Sequence, residues 1–162
     1  MKLLREYIRA LLVEAAKTPL ELAELQDAYV IIQYEGSADT RIFIGDENGD
    51  KWSYDDHDHG VHGGIYIEKV NPRFPGKAGG PCGGAWMVNT AGAKKGWGPL
   101  LYDVAIEYAT LNGGGLVSDR SIVSGKAQAV WDYYMNNRPD ITAHQLDDLK
   151  DTLTPEYEDN CA

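Results

Sequence analysis

Three stretches of this chain bring chemically able residues close together. The first is Lys94-Lys95-Gly96-Trp97-Gly98-Pro99, just ahead of a run with helical apolar spacing. A helix N-terminus presents unpaired N–H groups and the positive end of its dipole, and both suit a phosphate. Glycine lets the backbone approach an anion closely, and lysine adds charge. The same residues also serve a plain strand-to-helix connector whose glycines only turn the chain. The second stretch is Tyr54–Gly64, YDDHDHGVHGG, where His57, His59 and His62 alternate with Asp55, Asp56 and Asp58. Imidazoles and carboxylates so spaced bind Zn²⁺ or Ni²⁺, and the same composition equally makes a solvated hairpin loop. The third is Asp119-Arg120, directly after the short apolar run GLVS, where the plain alternative is a local ion pair.

Other chemistries are excluded. The histidines are His57, His59, His62 and His144, which leaves none for a buried catalytic site elsewhere. No Gly-x-Ser-x-Gly or Walker element occurs. The two cysteines, Cys82 and Cys161, have no CxxC spacing, so a zinc ribbon or a thioredoxin motif is ruled out. They are either two reduced thiols or a disulfide tying the acidic tail to the glycine-rich loop around Cys82.

The elements that must position these residues follow from periodicity. In MKLLREYIRALLVEAAK, residues Leu3, Leu4, Tyr7, Ile8, Leu11, Leu12 and Ala15 share one helical face, and Thr18-Pro19 stops the helix. Pro19–Asp27 reads as a second short helix. Strands are expected at Ala28–Tyr34, Arg41–Ile44, Lys51–Tyr54, Gly64–Val70 and Ala85–Thr90, with a turn at Gly45–Asp50. A helix follows over Pro99–Asn112 with Leu100, Leu101, Val104, Ala105, Tyr108 and Leu111 buried. Pro99 suits its first turn, and Gly113 suits a left-handed position past its end. Gly115–Ser118 fits a buried strand beside AWMVNT. Ser124 caps a helix through Asn137, with Ala127, Val130, Trp131 and Tyr134 inward. Thr142 and Gln145 have capping-box spacing and open a last helix, through about Leu153.

Composition sets bounds. The chain has 162 residues, 43% hydrophobic and 25% charged, enough for one domain with its own core. The net charge of −10 repels nucleic acid, so a nucleic-acid binder is not expected. Charge is uneven: Lys2, Arg5, Arg9 and Lys17 make the start basic, and Asp147, Asp148, Asp151, Glu156, Glu158 and Asp159 make the end acidic. No secretory signal and no uncharged run long enough to span a membrane is expected.

Helices, a strand meander, then strand–GxG–helix–strand–helix resembles the GNAT N-acetyltransferase fold. That family holds the pyrophosphate of acetyl-CoA on a loop of the form Gln/Arg-x-x-Gly-x-Gly/Ala. Ala93–Gly98 is similar to it: Gly96 and Gly98 match both glycines, Ala93 stands at the Gln/Arg, and Lys94 and Lys95 supply charge. LLYDVAIEYATLNGGGLVSDR resembles the family's cofactor-side helix and the strand after it. SGKAQAVWDYY resembles its Asn-x-x-Ala-x-x-hydrophobic-Tyr helix, with Ser124 at the Asn and Ala127 at the Ala. Trp131 stands where many members carry a Tyr that protonates the leaving thiolate, with Tyr133 and Tyr134 nearby. The family's two final strands give way here to PDITAHQLDDLKDTLTPEYEDNCA. The likeness covers about Ala28–Arg138, most specifically Trp86–Tyr134, and GWGPLLYDVAIEYA…SDR…AVWDYY resembles a group of GNAT-like proteins from tailed phages. The N-terminal helix, with Leu12-Val13-Glu14 before Ala15, is similar to the targeting leaders of phage internal head proteins, which a maturation protease cuts after hydrophobic-x-Glu.

The expected fold is therefore α/β (α+β): a GNAT-like mixed, mostly antiparallel sheet flanked by helices, with an N-terminal amphipathic helix at 1–17, a domain over 18–153 and an acidic tail at 154–162. The resemblance implies acetyl-CoA as cofactor. The amides of Trp86, Met87, Val88 and Asn89 would align its pantetheine arm, and Lys94, Lys95, Gly96, Trp97, Gly98 and Pro99 would hold its pyrophosphate. Asp119, Tyr133 or Tyr134 would move protons during transfer of an acetyl group to an amine, on a small molecule or a protein. The alternative is a non-catalytic, virion-associated or interaction protein that keeps the scaffold and docks a partner through its N-terminal helix. No nucleic acid, membrane or bound metal is expected, and the location is the host cytoplasm or the virion.

Overall fold

A computed structural model of the chain describes residues 24, 28–34, 36, 38–45, 62–70, 84–118 and 123–144. It is a mixed α+β architecture. The elements are β1 (Tyr29–Tyr34), β2 (Asp39–Gly45), β3 (Gly63–Lys69), β4 (Trp86–Ala93), α1 (Gly98–Asn112), β5 (Leu116–Val117) and α2 (Gly125–Asn137). The strands form one five-stranded sheet in chain order. β1 and β2 are antiparallel, from Tyr29 opposite Gly45 to Tyr34 opposite Thr40. β3 and β4 are antiparallel too: Lys94 N–H donates to His62 C=O at 2.8 Å at one end, and Val70 N–H to Ala85 C=O at 2.9 Å at the other. β4 and β5 are parallel, with Trp86 opposite Leu116 and Met87 opposite Val117. A parallel neighbour requires a crossover, and α1 is that crossover.

The chain divides into two compact units, Met1–Ile67 with Thr90–Ile106 and Glu68–Asn89 with Glu107–Ala162. In the first, β-branched and aromatic residues make the strands. Ile42, Phe43, Ile44, Ile65 and Ile67 are buried, and Ile31 packs on Phe43, its cross-strand partner. β1 is the edge strand. Its Tyr29, Val30, Ile32 and Tyr34 are exposed, YVIIQY carries no charge, and no strand pairs with its outer side among the described residues. β2 begins two residues before the expected Arg41, and β4 continues to Ala93 instead of stopping at Thr90. The reason lies in size. A Cβ at Gly63 would sit 2.7 Å from Ala93 Cβ, so the small residues Ala91-Gly92-Ala93 continue the ladder against a bare backbone.

In the second unit Trp86 is buried, meets Tyr108 edge-on at 5.4 Å and carries the Lys69 ammonium 5.3 Å from its ring. Gly113 is not left-handed, contrary to the sequence expectation; Gly115 is, at φ +99°. A side chain at Gly113 would overlap the Gly84 carbonyl and come within 3.0 Å of Trp86 Nε1, so this glycine is required for clearance. The chain reverses two residues later, where Trp86 N–H donates to Gly115 C=O at 2.8 Å and β5 begins. β5 is shorter than GLVS and half-buried.

α1 starts at Gly98, and its buried arc centres on Leu101, Ala105, Tyr108 and Ala109, with Leu100 and Tyr102. Leu111 is 77% exposed, not buried as expected. At 3.6 residues per turn it shares the helix face of the buried Leu100, about 20° away, so its place in the last turn and not its face leaves it exposed. α2 is capped as expected: the Ser124 hydroxyl accepts from Ala127 N–H at 3.3 Å. Tyr134 is its buried residue, while Ala127, Val130 and Trp131 are half-buried. Glu24 is helical, within the expected Pro19–Asp27 helix, and Thr142–His144 are non-helical. The N-terminal helix, Lys51–Tyr54, the cysteines and the expected helix from Gln145 onward lie outside the described residues.

Replacing Gly113 by Ala will destabilise the fold by about 1–3 kcal/mol in urea denaturation, the cost of overpacking. Gly125→Ala, where a Cβ meets nothing within 4 Å, will be neutral or gain about 0.4–1 kcal/mol. Burial holds the Tyr102 phenol above the ordinary 10.0. Its contribution to stability is therefore complete below pH 10 and lost as pH rises through the folded value, because the unfolded chain gives up that proton first. The absorbance titration of wild type minus Tyr102→Phe will show one phenol ionising above the ordinary tyrosine range.

Candidate anion-binding loop at the start of helix α1

The loop is built from the strand ends upward. His62 N–H donates to Ile44 C=O at 2.7 Å, and Lys94 N–H donates to His62 C=O at 2.8 Å. Lys94 C=O accepts from Trp97 N–H at 3.1 Å, closing a four-residue turn. Gly96, third in that turn, has φ +90°, a conformation that favours glycine. Trp97 C=O then accepts from Leu101 N–H at 3.1 Å, the first helical bond, which makes Trp97 the N-cap. An indole has no acceptor to offer a helix N-terminus. The N–H groups of Gly98 and Leu100 have no acceptor within the helix, and Pro99 brings none to satisfy. The first turn contains no acidic residue. Lys94 and Lys95 are exposed beside it.

Gly98 decides what the loop is fitted for. A Cβ there meets no atom within 4 Å, and its φ is not positive. The fold does not demand a glycine at this position, and the space over the backbone is open. Trp97 points the other way. It is 7% exposed and lies flat on the His62 imidazole, centroids 4.1 Å apart at 7°. Of the six residues Lys94–Pro99, Lys94, Lys95, Gly96 and Gly98 offer charge or bare backbone to an anion, and the Trp97 side chain does not.

The remaining sequence candidates are described by themselves. Trp86–Asn89, Tyr133 and Tyr134 belong to the second unit. Trp86 N–H is already bonded to Gly115 C=O, and Trp86 and Met87 form the two ladder pairs with β5. Val88 is buried, and Asn89, just past those pairs, is exposed. Tyr133 and Tyr134 meet edge-on at 5.6 Å; Tyr134 is 3% exposed beneath the Arg138 guanidinium, and Tyr133 is half-buried. Arg138 also forks onto Asp140, whose carboxyl it holds below the usual range. Asp119, Arg120, His57 and His59 lie outside the described residues. Of the histidine-rich stretch His62 is described, half-buried and aligned with β3 instead of looped out. Among the described residues no three metal-binding side chains converge, and no helix is long and apolar enough to cross a membrane.

The His62–Trp97 contact was missed from sequence. The two residues are far apart in the chain, and the one signal was that GIYIEKV begins directly after His62-Gly63, which makes His62 a strand-end residue.

No family model, curated protein or solved structure matches the chain.

Because the space over Gly98 is open, Gly98→Val will fold with stability within about 1 kcal/mol of wild type, Gly and Val differing little in the first turn of a helix. Chemical denaturation checks this, and it makes the variant fit for binding measurements.

Proposed function

We propose that the Lys94–Pro99 loop binds the pyrophosphate of acetyl-CoA or a related pantetheine ligand, and that the chain is a GNAT-like acyltransferase-fold protein. The observation that carries this reading is the bare, open backbone at Gly98 on an N-terminus that neither its N-cap side chain nor an acidic residue fills. The order of elements supports it: antiparallel strands, then β4, a glycine turn, α1 and a parallel β5. Lys94 and Lys95 would neutralise the phosphates, and the N–H groups of Gly98 and Leu100 would donate to their oxygens.

Transfer would follow by direct attack. The lone pair of a neutral amine forms a C–N bond to the thioester carbonyl, the C–S bond breaks, the amine gives up a proton and the thiolate takes one. No covalent enzyme intermediate is needed. Tyr133 is the more accessible of the two tyrosines for the thiolate's proton, and Asp119 is the candidate to receive the amine's. The net charge of −10 would favour a cationic acceptor. A second reading keeps the binding and drops the transfer: Trp131 has no proton to give where the resemblance puts a Tyr, and Tyr134 is buried.

Calorimetric titration of the purified protein with acetyl-CoA, and with dephospho-CoA and ATP as comparators, tests both. Saturable binding at one per chain is expected, weakened at least about tenfold in Gly98→Val, a loss of about 1.4 kcal/mol. Absence of binding at millimolar ligand would sink the proposal. Binding with no product across an amine screen would select the second reading.

A further inference from the structure

We propose that His62 is the positioning residue of the anion loop: its imidazole, stacked on Trp97, holds the Gly96–Gly98 backbone in the conformation that presents the N–H groups of α1. This rests on the anion-binding reading of that loop. The loop is poorly fixed by its own chemistry. Its two glycines have the greatest backbone freedom of any residue, and one 3.1 Å hydrogen bond closes its turn. The N-cap lacks the side-chain acceptor that usually orders a first turn. What fixes the loop is Trp97, and what fixes the Trp97 side chain on one face is His62. Their rings are parallel at 4.1 Å, with Trp97 buried. His62 is itself anchored by its main chain, donating to Ile44 and accepting from Lys94. The ring thus stands on a strand end and lies flat on the side chain of Trp97, the residue from which α1 begins. Substituting the side chain leaves both main-chain bonds available, so the stack is separable from the ladder.

The test uses the full chain as wild type, His62→Ala, His62→Gln and His62→Phe. Two quantities are read on each: amide hydrogen exchange at Trp97 and Leu101, whose N–H groups close the turn and make the first helical bond, and the calorimetric Kd for inorganic pyrophosphate. His62→Ala and His62→Gln are expected to raise exchange at these amides about tenfold, leaving Ile42–Ile44 unchanged, and to weaken pyrophosphate about tenfold. His62→Phe, which restores a flat ring, is expected to return both to within about threefold of wild type. A role confined to general stability would move all amides together and would not be rescued by Phe. Unchanged exchange in Ala and Gln, or a Phe variant as loose as Ala, overturns the proposal. If wild type does not bind pyrophosphate, the anion-binding reading fails, while the exchange pattern still decides whether His62 orders the loop. If His62→Ala does not fold, the comparison of Gln with Phe carries the same decision.

Discussion

One run of backbone hydrogen bonds, Ile44 to His62 to Lys94 to Trp97 to Leu101, determines where helix α1 begins. Each bond hands the geometry of one element to the next: β2 fixes the start of β3, the start of β3 fixes the end of β4, the turn fixes the N-cap, and the N-cap fixes the first helical bond. A helix start set this way does not depend on a capping side chain. The N-cap side chain then offers the N–H groups of Gly98 and Leu100 no acceptor, which is unusual for a helix that could easily have used a serine or an aspartate. α2 took that ordinary route with Ser124.

Missing side chains matter as much as present ones. In the first unit, Gly63 lets β3 lie against Ala93 and Gly92. In the second, Gly113 lets the end of α1 rest on the Gly84 carbonyl and the Trp86 indole. That second contact has a cost. Among the described residues the buried Trp86 Nε1–H has no acceptor, a group that proteins rarely leave unpaired. The edge-on Tyr108 ring and the Lys69 ammonium above compensate by contact with the ring and leave the N–H itself unpaired.

Much of this was legible in the residues. Alternating β-branched runs gave β1 to β4 within a few positions, Ser124 announced α2, and Pro99 announced the first turn of α1. Where the expectations slipped, distance along the chain was the cause. Gly113 looked like a left-handed terminator because helix ends commonly use one; the clash that explains it lies with Gly84 and Trp86, nearly thirty residues upstream. Leu111 is the exception: it fits the apolar spacing and shares the face of Leu100, but its place in the last turn of α1 leaves it exposed. The glycines and lysines of the loop were visible as a candidate anion site, whereas His62 was read with its histidine and aspartate neighbours. No local pattern could pair it with Trp97.

The uncharged edge of β1 has a colloidal consequence. An edge strand normally discourages pairing with another molecule by carrying a lysine or a proline, and YVIIQY carries neither. The net charge of −10 borne elsewhere on the chain opposes the approach of two such edges. Repulsion of that kind acts at long range and is lost when salt shortens the screening length, to about 3 Å at 1 M. The edge is guarded by the ionic strength of its surroundings more than by its own residues.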